Sequence, residues 1–261
     1  MRILLTGASR GIGRGIAERL ALGGGKLALC ASRPSADLTE TVENCNSLGA
    51  DAIGLTGDLG ASGTADRLIG EAVDAMGGLD SVVSNAGIAI SGTLTEMPEN
   101  EWDRVFDVNV RGAWLLAKAA YPQLLKSDSS PCFLSVASMS GCEAYPGTGA
   151  YSASKAALIM MIRTFALEWA SNGVRANCVS PGLFLSAMTA PIYADPEKKA
   201  AREALVPMNR IGDPARDFAG LVEFMISKDA GYITGQNILA DGGIVGSIHT
   251  QIAGRPKSGN I

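Results

Sequence analysis

Short apolar runs alternate along the chain with longer stretches whose apolar positions recur every three to four residues. The runs at 2–6, 27–31, 52–55, 79–84, 131–137, 174–179 and 236–240 carry apolar side chains on both faces. That is the pattern of strands buried in a parallel sheet. The segments 12–22, 37–47, 62–76, 99–126, 150–171 and 214–227 have helical periodicity. The first sets Ile16, Ala17 and Leu20 on one side and Arg14, Glu18 and Arg19 on the other. Strand–helix alternation of this kind predicts right-handed crossovers and an α/β fold: one doubly wound parallel sheet of about seven strands with helices on both faces. No repeat or linker divides residues 1–245, which read as a single domain. Residues 246–261 read as a tail, expected to be mobile.

Ligands in such sheets bind beyond the carboxyl ends of the strands, where the strand order reverses. Gly7, Asp58, Asn85, Ser138 and Pro181 each follow a predicted strand end, so they are expected to converge. The first strand runs straight into Gly7-Ala8-Ser9-Arg10-Gly11-Ile12-Gly13 and then into a helix. Glycines in that turn permit positive φ and close approach of a phosphate, and the helix N-terminus offers free N–H groups to a pyrophosphate. Together they make the domain Rossmann-type, although the spacing Gly-x-x-x-Gly-x-Gly differs from the common Gly-x-Gly-x-x-Gly.

Tyr151 and Lys155 lie four apart at the head of a predicted helix, on one face and about a turn apart. An ammonium beside a phenol favours the phenolate, which predicts a general acid/base from a residue otherwise inert at neutral pH. Ser138 lies thirteen residues upstream.

Thr6-Gly7-x-x-x-Gly11-x-Gly13, Asn85-Ala86-Gly87, Asn109, Ser138, Tyr151-x-x-x-Lys155 and Pro181-Gly182 occur in the order and near the spacings of the short-chain dehydrogenase/reductase family, which the chain resembles over residues 1 to about 245. The resemblance implies interconversion of an alcohol and a carbonyl with a nicotinamide cofactor. Tyr151 would be the acid/base, and Lys155 would lower its pKa and bind the nicotinamide ribose. Ser138 would hydrogen-bond the reacting oxygen, and Asn109 would hold a water linking Lys155 to solvent. The same resemblance places Gly7, Ser9, Arg10, Gly11, Ile12 and Gly13 on the cofactor. It places Asp58 and Leu59 at the adenine, with a helix cap as the other reading of Asp58. It sets Asn85, Ala86 and Gly87 along the middle of the cofactor, and Pro181, Gly182 and Ser186 at the nicotinamide. Ser186 stands where the family commonly has Thr. A homotetramer, or failing that a homodimer, is implied through the helices near 108–126 and 151–171. Ala113, Trp114, Ala117, Ala120, Ala157, Met161 and Phe165 make those helices more apolar than one buried stripe needs.

The second strand ends in Ser32-Arg33, where an NAD-selecting fold usually carries an acid. A hydroxyl with Arg33 and Arg10 suits a 2′-phosphate, so NADP is expected ahead of NAD. Asp37 is expected to cap the next helix instead.

The remaining chemistry narrows the picture. A formal charge of −4 and a pI near 5.1 leave no footprint for nucleic acid or an anionic membrane. Cys30, Cys45, Cys132, Cys142 and Cys178 are odd in number and widely spaced, which predicts reduced thiols in the cytoplasm. His249 is the only histidine and has no ligand partners in sequence, so no metal is expected. The opening segment is too short for a signal-peptide core, and no apolar run is long enough to span a bilayer. Trp102, Trp114 and Trp169 read as core or subunit contacts. Glu143 and Tyr145 read either as specificity residues or as plain loop, and Leu183 to Tyr193 as a lid or a subunit contact. A catalytically idle NADP(H) sensor and a nucleotide-fold methyltransferase are the rival functions. Filled catalytic positions disfavour the first, and the Tyr/Lys pair disfavours the second.

Overall fold

The computed structural model describes residues 1–186 and 189–247. Seven strands, β1 (Arg2–Thr6), β2 (Lys26–Ala31), β3 (Asp51–Thr56), β4 (Ser81–Ser84), β5 (Cys132–Val136), β6 (Arg175–Pro181) and β7 (Asn237–Ala240), form one sheet in the order β3-β2-β1-β4-β5-β6-β7. Every recorded pairing is parallel. β1 pairs with both β2 and β4, so the order reverses beside it, and the crevice opens over the end of β1.

Period-two alternation explains why both faces are dry. Along β1, Leu4 faces one core with Ala28, Val82 and Phe133. Ile3 and Leu5 face the other with Leu27, Leu29, Val83 and Leu134. The first core is closed by α3 (Thr64–Met76), α5 (Gly112–Leu124) and α6 (Tyr151–Trp169). The second is closed by α1 (Gly11–Ala21), α2 (Ala36–Ser47) and α9 (Ala219–Ile226). Each fully buried Leu or Phe in these layers contributes roughly 1.5–3 kcal/mol, so the sheet is a firm platform for what its strand ends carry.

Four expectations need correction. The stretch 99–126 is not one helix: α4 (Glu99–Phe106) passes through a π-helical turn at Asp107–Arg111 before α5. Gly112 sits at that joint because a Cβ there would lie 2.9 Å from the Leu59 carbonyl. The stretch 214–227 likewise begins with a π-helical turn, Pro214–Phe218. Two helices escaped the pattern, α7 (Ala190–Tyr193) and α8 (Pro196–Glu203). α8 buries no residue and so has no apolar period, yet its start was visible in Asp195-Pro196: Asp195 accepts N–H bonds from Glu197 and Lys198. Finally, α2 is capped by Ser35, whose hydroxyl accepts from Leu38 N–H, while Asp37 stands in the first turn.

The chain past Gly243 stays tied down through Ser247, because Asp241 accepts from the N–H groups of Gly243 and Val245. His249 and the rest of the expected tail lie outside the described residues. Among the described residues no helix is long and apolar enough to cross a membrane, and no group of His, Cys, Asp and Glu is arranged to hold a metal.

Candidate active site

The glycine turn is built by exclusion. Gly7 and Gly11 take φ of +66° and +57°, and a Cβ on Gly13 would lie 1.9 Å from the Gly7 carbonyl oxygen. Only glycine fits there, so the turn can fold tightly over the start of α1. Asn85 locks it from the side: its Nδ2 donates to the Thr6 and Gly7 carbonyls at 3.0 and 3.1 Å. Thr6 answers by accepting the N–H groups of Asn85 and Ala86 through its hydroxyl. Asn85 is therefore a strut of the glycine turn. Ser9 fixes the outer rim through its carbonyl, which accepts from Arg14 and Thr41.

The residues expected to be catalytic gather at the end of β5 and on α6. Ser138 follows β5, and its Oγ accepts the Ser140 N–H at 3.2 Å, capping the short turn Met139–Gly141. Its hydroxyl proton is left to donate, and Ser138 acts on the neighbouring Tyr151 phenol by favouring its ionised form. Lys155, only 3% exposed, donates from Nζ to the Val136 carbonyl at 2.9 Å and lies 5.8 Å from the Tyr151 ring centre. Both titrating groups are shifted mainly by burial. Desolvation pushes the Tyr151 phenol above its ordinary value while the Ser138 hydrogen bond draws it down. Desolvation brings the Lys155 ammonium down to about 8. Burial is thus the larger influence on the tyrosine and the Ser138 hydrogen bond the smaller.

Asn109 is tied to two neighbouring elements. It is 1% exposed in the π-helical turn, and its Oδ1 accepts from Ile88 N–H. Both amide hydrogens are committed, to the Ile88 carbonyl and to Ser154 Oγ. Its side chain braces the loop after β4 against α6 and has no hydrogen left to offer a water.

The cofactor positions sort clearly. Ser32, Arg33 and Arg10 are exposed at the ends of β2 and the glycine turn, and the two guanidinium groups have no hydrogen bond or ion pair among the described residues. Arg14, close by, is engaged through Nε and Nη2 with Ser9, Thr41, Asp37 and Glu40. Ile12 packs against the core layer beneath the turn. Asp58 is not a helix cap, since α3 begins after Gly63. Burial pushes its carboxyl up, but Arg104 at 2.9 Å and the Gly60 N–H hold it below the usual range. Leu59 turns its side chain into the core, which leaves only its backbone to face a ligand. Gly87 needs its missing side chain: a Cβ would lie 3.3 Å from Lys155 Nζ and 3.2 Å from Asn109 Oδ1. Gly182 is similarly constrained by Asp241, at 2.6 Å from such a Cβ. Ser186 and Thr189 hydrogen-bond each other, and Thr189 donates to the Phe184 carbonyl, folding the segment after Pro181 back on itself. This cradle of small residues running from Gly7 to Gly87 to Gly182 fits an extended dinucleotide. A cavity of about 400 Å³ lined by Leu183, Phe184, Val206, Met208 and Leu239 lies to one side, and no catalytic residue lines it.

Residues outside the cluster take plainer roles. Trp169 is core, stacked on Tyr121 and Phe165, while Trp102 and Trp114 are over a third exposed. Cys142 is exposed and the other four thiols are buried; all are free. Glu143 and Tyr145 are exposed on the loop leading to α6.

Comparison with known proteins agrees with this geometry. A family model described as enoyl-(acyl carrier protein) reductase matches residues 7–245. Dehydrogenase/reductase SDR family member 4 of Bos taurus is 34% identical over 92% of this chain and 85% of its own length. The 3-oxoacyl-[acyl-carrier-protein] reductase FabG of Staphylococcus aureus (strain Mu50) is 36% identical over 92% of this chain and 96% of its own. Among solved structures, the Pseudomonas aeruginosa RhlG/NADP active-site complex superposes with a TM-score of 0.87 at 31% identity, covering 94% of this chain and 96% of that one. The chain belongs to the short-chain dehydrogenase/reductase family. It is an NAD(P)-dependent oxidoreductase.

The buried lysine gives a pH test. Unfolded, Lys155 titrates near its ordinary value of about 10.4; folded, it titrates near 8. Between those values the unfolded chain holds a proton that the folded chain has released. Stability therefore rises with pH across that window, by up to about 1.4 kcal/mol per pH unit. Lys155→Met removes this contribution. Its stability relative to wild type should fall steadily from pH 8 to about pH 10 in denaturant titrations. A pH-independent difference would show that the ammonium is not desolvated.

Proposed function

We propose that the chain interconverts a ketone and a secondary alcohol, with NADP(H) preferred over NAD(H), and that Tyr151 is the general acid/base. The nicotinamide, when bound, supplies or accepts the hydride. The observation that carries this reading is the convergence of Ser138, Tyr151 and Lys155 in one half-dry corner next to the small-residue cradle. Tyr151 gives its proton to the carbonyl oxygen in reduction and takes it back in oxidation. With its oxygen accepting the Ser140 N–H, Ser138 turns its hydroxyl proton to that substrate oxygen and so stabilises developing alkoxide charge. Lys155 becomes the counter-charge when Tyr151 ionises, and it holds the nicotinamide ribose. Asn109 acts by bracing the loop at Ile88 against α6. Tyr151→Phe should lower kcat by about 100-fold or more with little change in NADPH affinity. Measured with a panel of ketones, retention of more than about a third of wild-type kcat would overturn the assignment.

Cofactor choice rests on the two unpaired guanidinium groups of Arg10 and Arg33 beside Ser32, with no acid at the end of β2. The RhlG neighbour holding NADP points the same way. Arg33→Ala should weaken NADPH binding about 10- to 150-fold, the worth of one charge-assisted hydrogen bond, and leave NADH nearly unchanged. Equal losses in a fluorescence titration would make Arg33 structural, and a wild-type preference for NADH would reverse the choice.

Assembly follows from what α5 and α6 leave uncovered. Ala113, Ala117 and Ala120 are buried within the fold, so they are not the surplus face the sequence suggested. Trp114, Met160 and Leu167 are 43, 60 and 84% exposed instead. Pairing of these helices between copies covers them, as a homotetramer first and a homodimer second. Sedimentation at micromolar concentration should show one of these; a monomer alone would refute it.

A further inference from the structure

The segment just before Tyr151 is held from outside its own helix. Gly92 N–H donates to the Gly147 carbonyl at 3.0 Å, and Gly149 N–H donates to the Gly92 carbonyl at 2.9 Å, a small parallel bridge between the loop after β4 and the approach to α6. Gly149 takes φ of +54°, and a Cβ there would meet the Ile90 carbonyl at 2.8 Å and Met97 Sδ at 2.9 Å. Ala150 comes next and is fully buried. As the residue that caps α6, it has no acceptor for its N–H in the helix. Tyr151 N–H goes to the Thr148 carbonyl. The Ala150 N–H goes to the thioether of Met97, at 3.2 Å.

A thioether is a weak acceptor, and a buried N–H left without one carries the full desolvation penalty. Leu at 97 would match Met in volume but would orphan the amide next to the proposed proton carrier. The bond relaxes most simply by a shift of residues 149–151, and a displacement of about 1 Å at a catalytic group can cost about 100-fold in rate. We infer that Met97 is a positioning residue: its sulfur, acting through the Ala150 N–H, holds the first turn of α6 and so sets where the Tyr151 oxygen stands. This rests on the reading of Tyr151 as the acid/base.

Two variants test it. Met97→Leu removes the acceptor, and Met97→Gln returns one at similar reach. In Met97→Leu, exchange of the Ala150 amide with deuterium should accelerate about tenfold or more, since that exchange reads the lost hydrogen bond. Its kcat should fall by about tenfold to a hundredfold, with NADPH affinity nearly unchanged. The solvent isotope effect on kcat should rise, because a displaced Tyr151 makes proton transfer limiting. Met97→Gln should restore much of each. The inference is overturned if Met97→Leu binds NADPH normally yet keeps wild-type kcat or wild-type Ala150 exchange. Loss of NADPH binding in both variants would overturn it too, by making Met97 a folding residue. If Tyr151→Phe keeps its kcat, the acid/base reading fails by itself, and Ala150 exchange still reports whether Met97 clamps the turn.

Discussion

A lysine ammonium withheld from water governs the site. Among the described residues, Lys155 has a single hydrogen bond, to the Val136 carbonyl, and no carboxylate is paired with it. Its charge is therefore costly in the folded chain, and that cost is what moves its titration down to about 8. The neighbouring Tyr151 phenol is pushed the opposite way by the same burial. Each charged form is disfavoured alone, but a phenolate and an ammonium formed together neutralise one another.

The rest of the architecture keeps that pair in place and in reach of a cofactor. One continuous segment, residues 85–97, carries the connection. It is bonded to the glycine turn by Asn85, to the π-helical turn by Asn109 at Ile88, and to the approach to α6 through Gly92 and Met97. Ser154 closes the loop by bonding both Asn109 and the Tyr151 carbonyl. The glycine turn and the Tyr151–Lys155 pair therefore share one frame of hydrogen bonds. The parallel sheet makes this economical, because all of these parts leave strand ends on the same side.

Much of this was legible in the residues. Both-face apolar runs marked the seven strands, since a parallel sheet buried on two sides leaves no other pattern. Gly7, Gly11 and Gly13 stood out because the turn's sterics allow no side chain there, whereas the Tyr151–Lys155 spacing drew its weight from the other motifs around it. What stayed hidden depends on tertiary neighbours. The π-helical turn at Asp107–Arg111 has an ordinary helical pattern, and the neighbours that meet it, Leu59, Ile88 and Ser154, are distant in sequence. The exposed α8 had no apolar period to find. The full commitment of the Asn109 amide and the sulfur acceptor of Met97 join residues that are distant in sequence, and no local rule pairs them.

The central claim is that Lys155 carries its charge without water, and nuclear magnetic resonance of its side chain tests this most directly. Selectively labelled lysine, assigned by comparison with Lys155→Met, should show one resonance titrating near pH 8, well below the ordinary lysine value of about 10.4. A Lys155 resonance that titrates with the surface lysines would contradict the account.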